Sequence, residues 1–167
     1  TYHSFGDVLS AVGAFDEAIV AYDRSIELKR SVFGADHPTV ASTLASLSQA
    51  APEVGDVDRS VEAAERAIAI VENTWGPEAA QLAVPLNNLA TAQSRLGRLD
   101  EADANLRRSI AIVEATSGPD DPQLFYSWIN VSTLEYQREE LHRALEAGQR
   151  AATIAVSTWG TEHPLYA

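Results

Sequence analysis

Two nearly identical octapeptides stand far apart in the chain, SVFGADHP at residues 31–38 and STWGTEHP at 157–164. Each has a histidine directly behind an acid. That pairing could ligate a metal or form a general base, so His37 and His163 are the first candidates for chemistry. The acids supply more: Asp16–Glu17, Asp100–Glu101 and Glu139–Glu140 are adjacent pairs. Around these residues, however, the chemical signatures are missing. There is no G-x-x-x-x-G-K-[ST], no G-x-G-x-x-G and no H-E-x-x-H. Serines and threonines are plentiful, but no histidine is spaced to activate one, and His3 and His142 read as isolated surface residues. The cysteine count is 0, which removes thiolate metal sites, disulfides and cysteine nucleophiles and fits a reducing, cytoplasmic compartment. No catalytic residue, metal or cofactor is expected.

The octapeptides are 126 residues apart, three times 42, and 42 is the period of the whole chain. Gly34, Gly76, Gly118 and Gly160 follow that step. So do Gly13, Gly55 and Gly97, with Glu139 in the fourth slot, and the small series Ala18, Ser60, Ala102, Ala144. The aliphatic series Leu28, Ile70, Ile112, Ile154 completes the pattern. Several columns in phase identify a repeat array, and each unit holds two helices. Helix A of the third unit covers 82–96, with Leu82, Leu86, Leu89 and Leu96 at helical spacing. Helix B covers 100–116, with Leu106, Ile110 and Val113 on one face. Gly97 joins them in a left-handed turn. The acid pairs fall at the starts of B helices, where the helix dipole favours anions without any catalytic role.

In this frame the octapeptides are punctuation. Phe33, Trp75 and Trp159 read as apolar plugs ending helix B, and Gly34 and its equivalents stop that helix. Asp36, Asp120 or Glu162, each before or near a proline, start the next helix A. His37 and His163 then lie about three units apart and cannot share a metal within one molecule. Trp75, Trp128 and Trp159 are expected in the core.

The columns Leu86, Leu89, Ala90, Gly97, Ala102, Leu106 and Ser109 resemble the tetratricopeptide repeat. The LNNLA at 86–90 and the G-x-D/E-H-P turn look like its 42-residue variety, found in kinesin light chain and many bacterial regulators. The resemblance implies an all-α fold of antiparallel helix pairs stacked in a right-handed superhelix (an α-solenoid), with helix A lining the concave face. It covers the whole chain as one array, with units at roughly 1–35, 36–77, 78–119 and 120–161 and the start of another at 162–167. The first unit opens inside a helix A (Tyr2, Phe5, Gly6, Leu9), so about seven complete helices are expected, cut from a longer protein that also accounts for the absence of Met. The ends should be sticky, exposing Tyr2, Phe5 and Leu9 on one side and Ile154 and Trp159 on the other. Three departures stand out. Pro52 falls inside the second helix A and should shorten or kink it. The usual aromatic before the A–B turn is replaced by Ala51, Gln93 and Glu135. The fourth unit has Glu139 for glycine and Gly148 where the third has Leu106, so it should be less regular.

Projecting helix A away from its packed columns exposes three rows: Ser46, Asn88, Asn130; Gln49, Thr91, Thr133; and Ser42, Val84, Tyr126. The resemblance implies that asparagine in the first row reaches the backbone of an extended peptide, which carries over to Asn88 and Asn130, with Ser46 a weaker member. The third row lacks the Lys or Arg with which chaperone-binding members grip a C-terminal carboxylate. The expected function is a non-enzymatic protein- or peptide-binding scaffold. A rival is a sensory segment of a larger signalling protein, such as a nucleotide-binding ATPase or a Ser/Thr kinase. A net charge of −12 disfavours nucleic acid and anionic membranes and points to a neutral or basic partner, with self-association through the array ends.

Overall fold

The computed structural model describes residues 1–160. His163, and the part of the last turn and unit beyond residue 160, lie outside the described residues. Eight α-helices follow one another: α1 (Tyr2–Ala11), α2 (Phe15–Phe33), α3 (Pro38–Ala50), α4 (Val57–Trp75), α5 (Ala83–Arg95), α6 (Leu99–Ser117), α7 (Leu124–Gln137) and α8 (Leu141–Trp159). Short 3-10 segments cover Ala51–Val54 and Ala80–Leu82, and no strand occurs among the described residues. Among the described residues the helices number eight rather than about seven, because the 10 residues Tyr2–Ala11 already form a helix, capped by the Thr1 side chain. Consecutive helices pack as antiparallel pairs, and α3 also touches α1 and α5, as α5 touches α7. The odd-numbered helices therefore form one layer and the even-numbered helices the other.

What sets the layers close together is a junction of small side chains. Ala18, Ser60 and Ala102 are fully buried and Ala144 nearly so. In the first unit a Cβ on Gly6 would lie 2.5 Å from the Tyr22 ring, so the large Tyr22 is accommodated by a residue with no side chain. In the fourth unit both partners are small, and a Cβ on Gly148 would meet Ser132 Oγ at an ordinary 3.5 Å. Leu82, Leu86 and Ile112 close one core cluster, and Leu106, Ile110, Val113 and Ile154 belong to the next.

Each A-to-B turn is closed by the same two backbone bonds. The amides of Ala14, Asp56, Arg98 and Glu140 donate to the carbonyls of Leu9, Ala51, Gln93 and Glu135, all within 2.9–3.0 Å. The preceding amide donates three residues back, as Gly97 does to Ser94. This pattern requires a left-handed residue between them. Gly13, Gly55 and Gly97 supply it, and Glu139, at φ 63°, is the only non-glycine with positive φ among the described residues. The turn geometry prevails over the residue, and α7 and α8 are as regular as the helices before them, contrary to the irregularity expected of the fourth unit.

Pro52 acts as foreseen. Helix α3 stops at Ala50, and a 3-10 turn carries Pro52 at its start. The octapeptide is punctuation too, but its cap is His37 rather than Asp36. His37 Nδ1 accepts from the Thr39 amide at 3.3 Å, and its ring stacks on Phe33 at 4.8 Å. Phe33, Trp75 and Trp159 do not plug the core. They are 56%, 49% and 36% exposed, because the last residue of each B helix already projects past the layer it caps. Trp159 packs edge-on against Phe125, while Trp128 is half-buried. At the C-terminal end Trp159 is exposed as expected but Ile154 is buried, and Tyr136, Leu141 and Leu145 are exposed as well. In the aliphatic column Leu28 departs from its equivalents, being 40% exposed.

Replacing Glu139 by glycine removes the cost of holding an L-residue in the left-handed region, about 1–2 kcal/mol, against a smaller loss from the freer unfolded chain. Glu139→Gly should therefore raise unfolding free energy by about 0.5–1 kcal/mol in a urea titration. No gain would show that Glu139 has another compensating role.

Candidate functional site

The surface that the odd helices turn away from the even ones is lined largely by polar, uncharged side chains, with the Arg95–Glu53 ion pair at its border. A cleft of about 500 Å³ lies at its centre, bordered by Gln49, Val84, Asn88, Thr91, Tyr126 and Asn130. Gln49 and Val84 also border a second cleft of about 420 Å³, which reaches Ser42, Ser46 and His3 and takes in Trp75. The two share Gln49 and Val84 as walls. Of the predicted site residues, Gln49, Asn88, Thr91, Tyr126 and Asn130 meet at the central cleft, and Ser42 and Ser46 at its neighbour. Thr133 lies apart, in an open hollow beside Tyr136 and Leu145.

The two asparagines are not free side chains. Asn88 Nδ2 donates to the Ala45 carbonyl at 2.9 Å and to Ser48 Oγ at 3.0 Å, tying α5 to α3. Asn130 Nδ2 donates to Asn87 Oδ1 at 3.0 Å, tying α7 to α5. Asn87 in turn donates to Ser127 Oγ at 2.6 Å and Ser109 Oγ at 3.3 Å, and Ser109 donates to the Ala83 carbonyl at 2.9 Å. The expectation that neither asparagine takes part in packing is therefore corrected: both hold neighbouring A helices in register. Thr91 and Thr133 return their hydroxyls to their own helix, on Asn87 O and Ile129 O.

Titratable groups gather at the α1 end. Burial, and then the hydrogen bond Tyr22 donates to Asp7 Oδ1 at 3.1 Å, push the Tyr22 hydroxyl up to about 12. Burial lowers His3, with Asp7 opposing, and lowers Lys29, whose Nζ is held between Thr39 O and Thr43 Oγ1. His3 is half-buried rather than a surface residue, whereas His142 is exposed as expected. The acid pairs Asp16–Glu17 and Asp100–Glu101 sit in the first turns of α2 and α6. Among the described residues, no group of three or more His, Cys, Asp or Glu could hold a metal, and no helix is long and apolar enough to cross a membrane.

One arginine column escaped notice in the sequence. Arg66, Arg108 and Arg150, at the 42-residue step, reach across to the preceding turn. Arg66 pairs with Asp36; Arg108 meets Glu72 and Pro77 O; Arg150 meets Asp120 and Pro119 O. Periodicity could have found it, had the preference for arginine been sought by column. The guanidinium fork can bridge a carboxylate and a carbonyl at once, which an ammonium does less well.

The tetratricopeptide repeat profile matches residues 1–73 and 76–155. The chain belongs to the tetratricopeptide repeat family. Solved structures agree on the fold. Kinesin-light-chain TPR-like repeats from Podosopora anserina superpose with a TM-score of 0.78 at 22% identity, covering 99% of this chain and 78% of that one. BtubC (BKLC) from P. vanneervenii gives 0.80 at 21% identity over 98% of this chain and 65% of its own. MamA gives 0.52 at 15% identity, over 97% and 94%. No curated protein matches the chain. Tetratricopeptide arrays are generally non-catalytic and serve as protein-interaction scaffolds.

The ties through Asn88 and Asn130 carry a stability cost on truncation. Each lost bond is worth about 1 kcal/mol, partly offset by the better helix propensity of alanine. Asn88→Ala and Asn130→Ala should each lower unfolding free energy by about 0.5–1 kcal/mol in urea. Unchanged midpoints would show that the inter-helix bonds contribute nothing net.

Proposed function

We propose that the chain binds an extended segment of a partner protein along the cleft on the odd-helix face. The observation that carries this reading is the pair of neighbouring clefts on that face, which share Gln49 and Val84 as walls, with Tyr126 bordering the central one. These three are exposed, and neither Gln49 nor Val84 contributes to a core cluster. A surface of amides, a valine and an aromatic ring suits a peptide with mixed polar and apolar groups. The net charge of −12 favours a neutral or basic partner and opposes nucleic acid and anionic lipid. The absence of cysteine supports a cytoplasmic setting.

The same exposed apolar residues noted at the two ends of the stack, Tyr2 and Phe5 against Leu141 and Leu145, support association between copies. Sedimentation velocity at rising concentration should show species larger than the monomer; a strict monomer throughout would oppose it.

The groove itself is tested with a partner captured on the immobilised chain and then titrated against it. Val84 is 54% exposed, so Val84→Arg fills the cleft without disturbing the core. Binding should weaken at least about tenfold, or 1.4 kcal/mol. Unchanged affinity with the fold intact would place the partner on another surface.

A further inference from the structure

The hydrogen-bond network behind the cleft has a direction, and the direction decides what the cleft can recognise. A carbonyl can only accept. The Ala45 carbonyl therefore fixes which amide atom of Asn88 faces it, namely Nδ2. The second chain is anchored in the same way. Ser109 gives its one hydroxyl proton to the Ala83 carbonyl, so its oxygen must accept from Asn87 Nδ2. That orients Asn87 with Oδ1 outward, and Oδ1 must accept from Asn130 Nδ2. Asn88 thus spends both amide protons inside the protein, and Asn130 one of its two. Their oxygens, Asn88 Oδ1 and Asn130 Oδ1, have no protein partner among the described residues and are not among its buried unsatisfied atoms. They open onto the cleft as acceptors.

The rest of the wall agrees. Gln49 is exposed and makes no hydrogen bond among the described residues, so its amide can present either end. Tyr126, 65% exposed, offers a ring face, and aromatic faces attract cations. The one cation bordering the cleft, Arg95, is held on the Pro52 carbonyl at 2.9 Å and on Glu53 at 2.8 Å. It is neutralised and committed, and the second oxygen of Glu53 remains open. A peptide bond brings one donor and one acceptor, and its acceptor finds no partner at Asn88, whose two amide protons are both spent. A guanidinium or an ammonium brings donors alone.

Resting on the groove reading above, we propose that the central cleft is a subsite for a basic side chain, an arginine or lysine of the bound segment, accepted by Asn88 Oδ1 and Asn130 Oδ1 and covered by Tyr126. The net charge of −12 draws such a segment to the molecule, and the oriented amides select where its cation seats.

The test uses four capped pentapeptides, acetyl-Ala-Gly-Xaa-Gly-Ala-amide, with Xaa as Arg, Lys, Gln or Glu, titrated into the isotopically labelled chain. The side-chain amide signals of Asn88, Asn130 and Gln49 report on the cleft. The Arg and Lys peptides should shift them at lower concentration than Gln, with Glu weakest, and the order should survive about 0.15 M salt, which screens diffuse attraction. Val84→Lys should weaken the Arg peptide about two- to fivefold and Val84→Glu strengthen it by a similar factor, the size expected of an exposed charge pair. If Gln or Glu seats equally well, the cation preference is overturned while the groove reading stands. If the Arg peptide shifts only residues outside the cleft, or none, the subsite is overturned. The groove reading is then decided separately by the partner titration with Val84→Arg.

Discussion

The closeness of the two helix layers governs everything else in this structure. A lone helix pair cannot bury its apolar stripe, so each must be covered by its neighbours in the stack. That coverage is efficient only if the layers approach to near backbone contact, which the fully buried Ala18, Ser60 and Ala102 permit. A larger side chain there would separate the layers and open the Leu86 and Ile112 cluster to water. At the Gly6–Tyr22 pair the approach leaves no room even for a Cβ. The left-handed turns serve the same end. They return the chain at once, so that helix B lies against helix A from its first turn.

The concave surface inherits its chemistry from this packing. Because the odd helices sit side by side, their polar residues can reach one another, and Asn88 and Asn130 bond across the gaps between α3, α5 and α7. Those bonds end on backbone carbonyls within the helices, at Ala45 and Ala83, which cannot change role. The orientation of the cleft amides is thus set from inside the scaffold. A site whose acceptors are positioned by buried partners loses little freedom on binding, which is where much of the cost of association usually lies.

The fold was legible in the sequence because the period was. Glycine, small-residue and aliphatic columns all repeat at 42, and the turns, helix phases and the break at Pro52 follow. The site was legible only in part, for a geometric reason. Columns at a step of 42 collect equivalent positions, but of the ties described above only Arg95 with Glu53 lies within a column. Others join residues 43 apart: Asn88 with Ala45, Asn130 with Asn87, Arg95 with Pro52, Ser94 with Gln137. Asn87 therefore drew no attention, since its own column holds Ala45 and Ile129. Reading by column made Asn88 and Asn130 look like free surface residues, whereas reading one residue out of step shows them as ties. The role of His37 was hidden differently. Its cap on Thr39 depends on an extended backbone at φ −73°, ψ 138°, which spacing does not reveal.

Negative charge and groove polarity act at different ranges. Acids such as Asp16, Glu17, Asp100 and Glu101 stand at the starts of even helices, outside the cleft, and several acids are paired with arginines across unit boundaries. Their summed field extends about a Debye length, on the order of 10 Å, and discriminates only by sign. Inside the cleft, discrimination falls to oriented amides that carry no net charge. Such groups act over hydrogen-bond distance and distinguish donor from acceptor, which the distant acids cannot do. Gln49 and Tyr126, exposed and loosely held, can adapt to the shape of what arrives, while Asn88 and Asn130 cannot turn without breaking the ties that align α3, α5 and α7. A ligand that required a donor from Asn88 would have to break its tie to α3.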